Sequence, residues 1–203
     1  MRVRPVIPAM SDLPGHLEPG IELSMLTLSL LRHAKSGWDD PSLKDVDRPL
    51  AVRGRKAAPI VGAFMAANGI APDLVLCSPS VRTRETLDLV SKQFTRALKV
   101  KFEAVLYLAS GETMLAHVQA VKGRGKTMPK HVLLIGHNPG LQDLALTLMT
   151  RQPEHAGDRR ALSANLPTCA LVVLDFDAER WRDVMPDGGR MRHFVTPKRL
   201  QAA

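Results

Sequence analysis

Two residues suited to phosphoryl chemistry, Arg32 and His33, directly follow the apolar run LTLSLL (26–31). Two later apolar runs end in a similar way, because DLVLC (73–77) leads into SPSVR with Arg82, and HVLLIG leads into His137. The carboxyl ends of parallel strands meet at one edge of an open α/β sheet, where ligands bind. If the three runs are parallel strands, two arginines and two histidines share one site. Such a site suits a phosphate group.

The elements that must position these residues are predicted from hydrophobic patterning. Each of the runs at 26–31, 73–77 and 131–136 is short, apolar and bounded by charged or turn-forming residues, as expected of a buried strand. Two more strands are expected after residue 168, separated by a tight turn at DGG (187–189). Helical segments lie between the first three runs, and this alternation predicts an α/β fold whose sheet is mainly parallel and covered by helices on both faces.

Helix boundaries are predicted from capping residues. The segment 53–69 predicts a helix that ends at Asn68-Gly69, in which Pro59 fits only the first turn. Ser78-Pro79 and Asn138-Pro139 each predict a cap followed by proline at the first helical position. The segment GETMLAHVQAVKG predicts a short helix closed by Gly123.

Composition limits the classes of function. The 203 residues include 28 Lys and Arg against 20 Asp and Glu, and this net charge of +8 favours anionic partners. Aromatic residues make up only 4%, which argues against a base-stacking surface, so we expect no nucleic-acid partner. Neither CxxC nor HExxH occurs, and Cys77 and Cys169 lie in apolar runs typical of buried thiols. No apolar run approaches the roughly 20 residues that span a bilayer, so we expect a cytoplasmic protein without membrane contact.

The chain is expected to form one domain with short extensions. Residues 1–24 are rich in Pro and Gly without periodicity and are expected to form a loose leader ahead of a domain at 25–203. The basic C-terminal segment PKRLQAA (197–203) is expected to be a solvated tail.

Four motifs together carry a resemblance: RHAKS, DRPLAVRG, SPSVRTRET and GHNPGLQ. They resemble those of the histidine phosphatase superfamily, and within it those of the SixA phosphohistidine phosphatases, from about residue 26 to the end. Ala34 stands where the wider superfamily has glycine, as the SixA-like branch commonly allows. The resemblance implies a three-layer α/β/α sandwich like that of phosphoglycerate mutase. No large helical cap insertion is expected, because only about two strands and one helix separate Arg82 from His137.

The resemblance also implies catalytic roles. His33 would attack phosphorus in line and become a phosphohistidine, which water would then hydrolyse. Arg32 and Arg82 would bind the phosphoryl oxygens, and their positive charges should lower the pKa of His33 and keep it neutral. His137, when protonated, would donate a hydrogen bond to an equatorial oxygen. No cofactor and no metal ion are implied, since the arginines supply the positive charge.

The general acid is the least defined part of the predicted site. Glu112, at the start of the GETML helix, is the candidate, because an alkoxide leaving group needs a proton. Ser36 and Asn138 are candidates for lining the substrate pocket. Asp47 and Arg48 are expected to form a structural ion pair or a contact at the rim.

Three functions remain open from the sequence. The leading one is a metal-independent phosphatase that acts on a phosphohistidine-bearing protein, and a missing acid would favour such N–P substrates over P–O esters. A small-molecule phosphomonoesterase is the alternative within enzymes. A catalytically silent phosphoprotein-binding module is the third, although it would not need the nucleophile. We expect a monomer.

Overall fold

A six-stranded mixed sheet forms the centre of the protein. The computed structural model describes residues 25–123 and 127–202, so the predicted leader at 1–24 lies outside the described residues. The strands are β1 (Met25–Arg32), β2 (Leu74–Cys77), β3 (Val100–Phe102), β4 (His131–Gly136), β5 (Leu171–Asp177) and β6 (Gly189–Val195). Their spatial order is β3-β2-β4-β1-β5-β6. The four strands on the β3 side of the sheet are parallel, and β5 and β6 add two antiparallel pairings.

Helices cover both faces of this sheet. They are α1 (Val52–Ala67), α2 (Val81–Ser91), α3 (Gly111–Gln119), α4 (Gly140–Leu148), α5 (Ala156–Ala164) and α6 (Pro197–Ala202). Alternate residues of a strand point to opposite faces. Leu30 of β1 therefore belongs to a core with residues of α3, α4 and α5, whereas Leu31 belongs to a second core with residues of α1 and α2. These two cores confirm the predicted three-layer α/β/α sandwich with a mainly parallel sheet. Within the described residues, no helix is long and apolar enough to cross a membrane.

The register of β2, β4 and β1 brings the three predicted strand ends together. Arg32 pairs with Gly136, and Cys77 pairs with Ile135, all in parallel strands. The backbone continues this alignment beyond β1, because the N–H of His33 donates to the carbonyl of Gly136 at 3.1 Å. The residues that follow the three strands are therefore neighbours at one edge of the sheet.

Both predicted proline caps were wrong in detail. Helix α2 begins at Val81 with Ser80 at its N-cap, two residues later than predicted. Ser78 is fully buried, and its hydroxyl bonds to His137, the residue that follows β4, instead of capping a helix. Helix α4 begins at Gly140 with Pro139 at its N-cap. The side chain of Asn138 donates to other groups rather than capping that helix.

Three further helical features differ from the sequence prediction. Pro59 lies inside α1 rather than in its first turn. Proline has no N–H to donate to the carbonyl four residues earlier, which here belongs to the exposed residue Arg55. Helix α3 ends at Gln119, four residues before Gly123. The predicted C-terminal tail is helical as α6, which packs against α1 through the half-buried Leu200.

Candidate active site

His33, the predicted nucleophile, lies directly after the end of β1. Its side chain is buried, and its Nδ1 lies 2.8 Å from the carbonyl oxygen of Ala34. A carbonyl oxygen only accepts hydrogen bonds, so Nδ1 carries the hydrogen and the lone pair of the neutral ring is on Nε2. Burial, together with the charges of Arg82, Arg32 and Arg48, lowers the pKa of His33 to about 4. The ring is therefore neutral at pH 7, as the sequence predicts.

His137 lies beside His33, with the two ring centroids 5.2 Å apart. Its Nδ1 lies 3.3 Å from an Nη of Arg82, and its Nε2 lies 2.8 Å from the hydroxyl of Ser78. Because arginine only donates, Nδ1 accepts and Nε2 carries the hydrogen that bonds to Ser78. Burial and the adjacent His33 and Arg82 lower the pKa of His137 to about 3. His137 is thus neutral in the free site, unlike the protonated donor considered from the sequence.

Arg82 reaches the site from the first turn of α2, and its partner was not predicted. One Nη donates to the backbone carbonyl of Asp45 at 2.5 Å, and the other donates to the Asp45 carboxylate at 2.9 Å. The aspartate lies in a 3-10 turn, Asp45–Asp47, between β1 and α1. The turn therefore supplies an anion that pairs directly with Arg82.

Arg48 is a third arginine of the site, which the sequence predicted to form a structural ion pair or a contact at the rim. It is buried and donates to the Asp45 carboxylate at 2.8 Å, to the Ser36 hydroxyl at 3.1 Å and to the Gly37 carbonyl at 3.0 Å. Its guanidinium also stacks on Trp38, 3.1 Å from the ring centroid. The expected pair of Arg48 with Asp47 is wrong, because the turn points Asp45 inward and leaves Asp47 exposed.

Arg32 and Asn138 form the side of the site next to the loop before β5. Arg32 donates to the Leu166 carbonyl at 2.7 Å, and its remaining guanidinium nitrogens make no hydrogen bond within the described chain. Asn138 donates to the same carbonyl at 3.2 Å and to Gln142 at 3.0 Å. Burial lowers the pKa of Arg32, but arginine remains charged at neutral pH. Part of its hydrogen-bonding capacity is therefore available to an anion.

These side chains surround a cavity of about 350 Å³. It brings together six of the predicted site residues, namely Arg32, His33, Ser36, Arg82, His137 and Asn138. It does not include Glu112, which is exposed in the first turn of α3 and absent from the cavity lining. The predicted general acid is therefore outside the site.

Asp45 is the only carboxylate among the described residues that line the cavity. Tyr107 donates to it at 2.6 Å, and this bond and those from Arg48 and Arg82 hold its pKa well below its usual range. An aspartate with so low a pKa carries no proton at neutral pH and cannot act as a general acid. The sequence offered one signal for it, since Asp45 precedes the DRPL motif by two residues.

Comparisons with known proteins agree with this geometry. The model of the histidine phosphatase superfamily (branch 1) matches residues 28–106. An uncharacterized protein of Mycobacterium tuberculosis is 32% identical over 168 residues, which are 83% of this chain and 100% of that protein. A solved structure from Agrobacterium tumefaciens, assigned as a SixA phosphohistidine phosphatase, is 30% identical with a TM-score of 0.69 and covers 85% of this chain and 98% of its own. One from Nakamurella, with the same assignment, is 28% identical with a TM-score of 0.71, over 85% and 96%.

The chain belongs to the histidine phosphatase superfamily, in its SixA-type branch. The superfamily match covers β1 from residue 28, the Asp45 turn, α1, β2, α2 and β3. It therefore contains three of the four predicted catalytic side chains of the cavity, and His137 lies beyond it.

Proposed function

We propose that the protein is a phosphatase that forms a phosphohistidine on His33 and acts on the phosphohistidine of another protein. One observation carries the proposal: the cavity holds a neutral histidine with its lone pair on Nε2, and the only carboxyl group among the described residues that line it is ionised. The names of the SixA-type neighbours support the same substrate class.

In the first step, Nε2 of His33 attacks phosphorus as the bond from phosphorus to the leaving group breaks. Arg32, Arg48 and Arg82 bind the phosphoryl oxygens, for which their planar guanidinium groups are suited. The ring of His33 gains positive charge as its Nε2–P bond forms, and the Nδ1–H bond to the Ala34 carbonyl stabilises that charge. Water then attacks phosphorus, which releases phosphate and returns the neutral imidazole.

The nature of the leaving group follows from the ionised Asp45. An alkoxide must be protonated as it departs, and Asp45 has no proton to give. A phosphohistidine whose ring is protonated on its other nitrogen leaves as neutral imidazole and needs no acid. The site is therefore better matched to N–P bonds than to alkyl phosphate esters.

The rim of the cavity supports a protein as the substrate. Trp38 and Leu108 line the opening, and 71% of Trp38 and 57% of Leu108 are exposed. Large exposed apolar side chains beside a catalytic group are suited to contact with a macromolecular surface. Three arginines and Lys35 supply the positive charge of the cavity, so we also propose that turnover needs no added metal ion.

The test is phosphate release from three substrates in the presence of a chelator. We expect rapid turnover of a phosphohistidine-bearing carrier domain, slower turnover of an aryl phosphate with a stable leaving group, and almost none of an alkyl phosphate. His33→Ala should abolish all turnover, whereas His155→Ala, remote from the cavity, should not. Rapid alkyl phosphate hydrolysis would instead indicate a small-molecule phosphomonoesterase. Phosphate binding without any turnover would indicate a silent binding module.

A further inference from the structure

A groove of about 790 Å³ opens beside the catalytic cavity. It lies between the first turns of α1 and the short helix α6, and the loop at 167–168 closes one side. Lys35 and Thr168 line both the groove and the cavity. A molecule bound in the groove would therefore extend directly to the position of the phosphoryl group.

The groove carries positive charge that the protein itself does not neutralise. Lys35, Arg53, Lys56 and Lys198 line it, all of them exposed, and no carboxylate does so among the described residues. None of the four lies within 4.0 Å of a carboxylate in the described part of the chain. The arginines of the catalytic cavity differ in this respect, because Asp45 pairs with two of them.

The rest of the lining is largely apolar. Val52, which is 65% exposed, lies here with Ala57, Pro167 and Pro197. No aromatic side chain lines the groove among the described residues, so it offers no surface on which a nucleotide base could stack. An apolar surface with cationic side chains around it matches a protein segment that presents apolar and acidic residues together.

We propose that this groove binds an acidic, amphipathic segment of the phosphoprotein whose phosphohistidine enters the cavity. The inference rests on the proposed function, since it names the part of that substrate that is recognised outside the reacting group. Complementary charge would speed the encounter and align the phosphohistidine with His33. A small phosphoramidate cannot reach the groove and would not benefit from it.

The experiment compares synthetic phosphohistidine peptides that have the same Leu spacing and either Glu or Gln between the Leu residues. At low salt we expect kcat/KM to be about tenfold higher for the Glu peptide, mainly through KM, and the preference to fall as salt rises. The variant Arg53→Glu/Lys56→Glu/Lys198→Glu should lose this preference. It should keep wild-type turnover of a small phosphoramidate, because none of the three residues lines the catalytic cavity.

A matched control is Lys92→Glu/Lys99→Glu/Lys122→Glu, which makes the same charge change at exposed residues outside the groove. It should retain the preference for the Glu peptide. Equal kcat/KM for the two peptides in the wild type, or an equal loss in both triple variants, would overturn the proposal. The proposal would also be overturned if the groove residues favoured small bisphosphates but not the Glu peptide. That result would indicate a subsite for small anions.

Binding of the unphosphorylated peptides separates this proposal from the proposed function. Fluorescence anisotropy should show tighter binding of the Glu peptide to the wild type than to the groove variant, whether or not turnover occurs. If neither phosphoramidate nor peptide is hydrolysed but this difference is present, the catalytic proposal fails and the groove proposal stands. If hydrolysis occurs and the difference in binding is absent, the groove proposal fails alone.

Discussion

Asp45→Asn tests whether the aspartate is an internal counter-ion that competes with phosphate for Arg48 and Arg82. Its carboxylate accepts from Arg48 at 2.8 Å, Arg82 at 2.9 Å and Tyr107 at 2.6 Å. The side chains of the two arginines are only 8% and 4% exposed, whereas that of Asp45 is 40% exposed. Asparagine keeps the shape and one acceptor oxygen but removes the charge. The substitution therefore leaves two buried guanidinium groups without their counter-ion.

The magnitude follows from this burial. Breaking a fully buried ion pair costs about 3–5 kcal/mol, and the solvent contact of Asp45 reduces this to about 1–2 kcal/mol here. For a chain of this length, that corresponds to a fall in Tm of roughly 3–6 °C. Phosphate binding should change in the opposite direction, because a phosphate bound on the far side of a shared guanidinium group is about 7 Å from the carboxylate and is repelled by it. That repulsion is about 1–2 kcal/mol once screening is allowed for, so the Kd for phosphate should fall about tenfold.

Thermal unfolding with and without inorganic phosphate measures both effects. Asp45→Asn should have the lower Tm in phosphate-free buffer and the larger rise in Tm on adding phosphate. Asp47→Asn is the matched control, because it removes the same charge from the same turn at an exposed position with no salt bridge in the described chain. If the two variants have equal Tm values and equal phosphate affinities, Asp45 is not a competing counter-ion and the reasoning is refuted.

Three further predictions concern the protonation of His33, the acid stability of the fold and a close backbone contact at Gly54. The pKa of about 4 for His33 leaves the ring about nine-tenths neutral at pH 5. The value of kcat/KM, corrected for titration of the substrate, should therefore fall less than about twofold between pH 7 and pH 5. A fall of about thirtyfold would contradict this and indicate a histidine with an ordinary pKa. The buried His131 also has a pKa lowered to about 4, so the unfolded chain binds a proton that the folded protein does not, and stability falls as pH drops below 6.5. Between pH 7 and pH 5, the free energy of unfolding measured in urea should therefore fall by about 2 kcal/mol less for His131→Gln than for the wild type. A Cβ at Gly54 would collide with the Lys35 carbonyl, so Gly54→Ala should cost about 2–4 kcal/mol, whereas Gly157→Ala, with nothing within 4 Å, should not destabilise.

The sheet and the convergence of its strand ends were predictable from sequence because they depend on local patterns. Buried strands are short apolar runs. When helices alternate with them the strands are parallel, and their carboxyl ends lie at one edge of the sheet. This reasoning located Arg32, His33 and His137 in one cavity before any distance was known. The capping rule was less successful, because buried polar side chains form tertiary hydrogen bonds that compete with capping. The hydroxyl of Ser78 bonds to His137 rather than to a helix N-terminus.

From the sequence by itself, the hydrophobic period predicted the fold class and the resemblance of four motifs predicted the superfamily. The position directly after a strand end made His33 the candidate nucleophile. Only the tertiary structure decided which charges meet in the cavity. The segment from Ser36 to Leu50 folds back on itself, because its two end residues form a β-bridge. Asp45 thereby lies between Arg48 and Arg82, although Arg82 follows Asp45 by 37 residues in the sequence. The tertiary structure also decided that Glu112, at the start of α3, is exposed and outside the cavity. No local pattern encodes such a contact, because it depends on where a loop without periodicity meets a helix that comes later in the sequence.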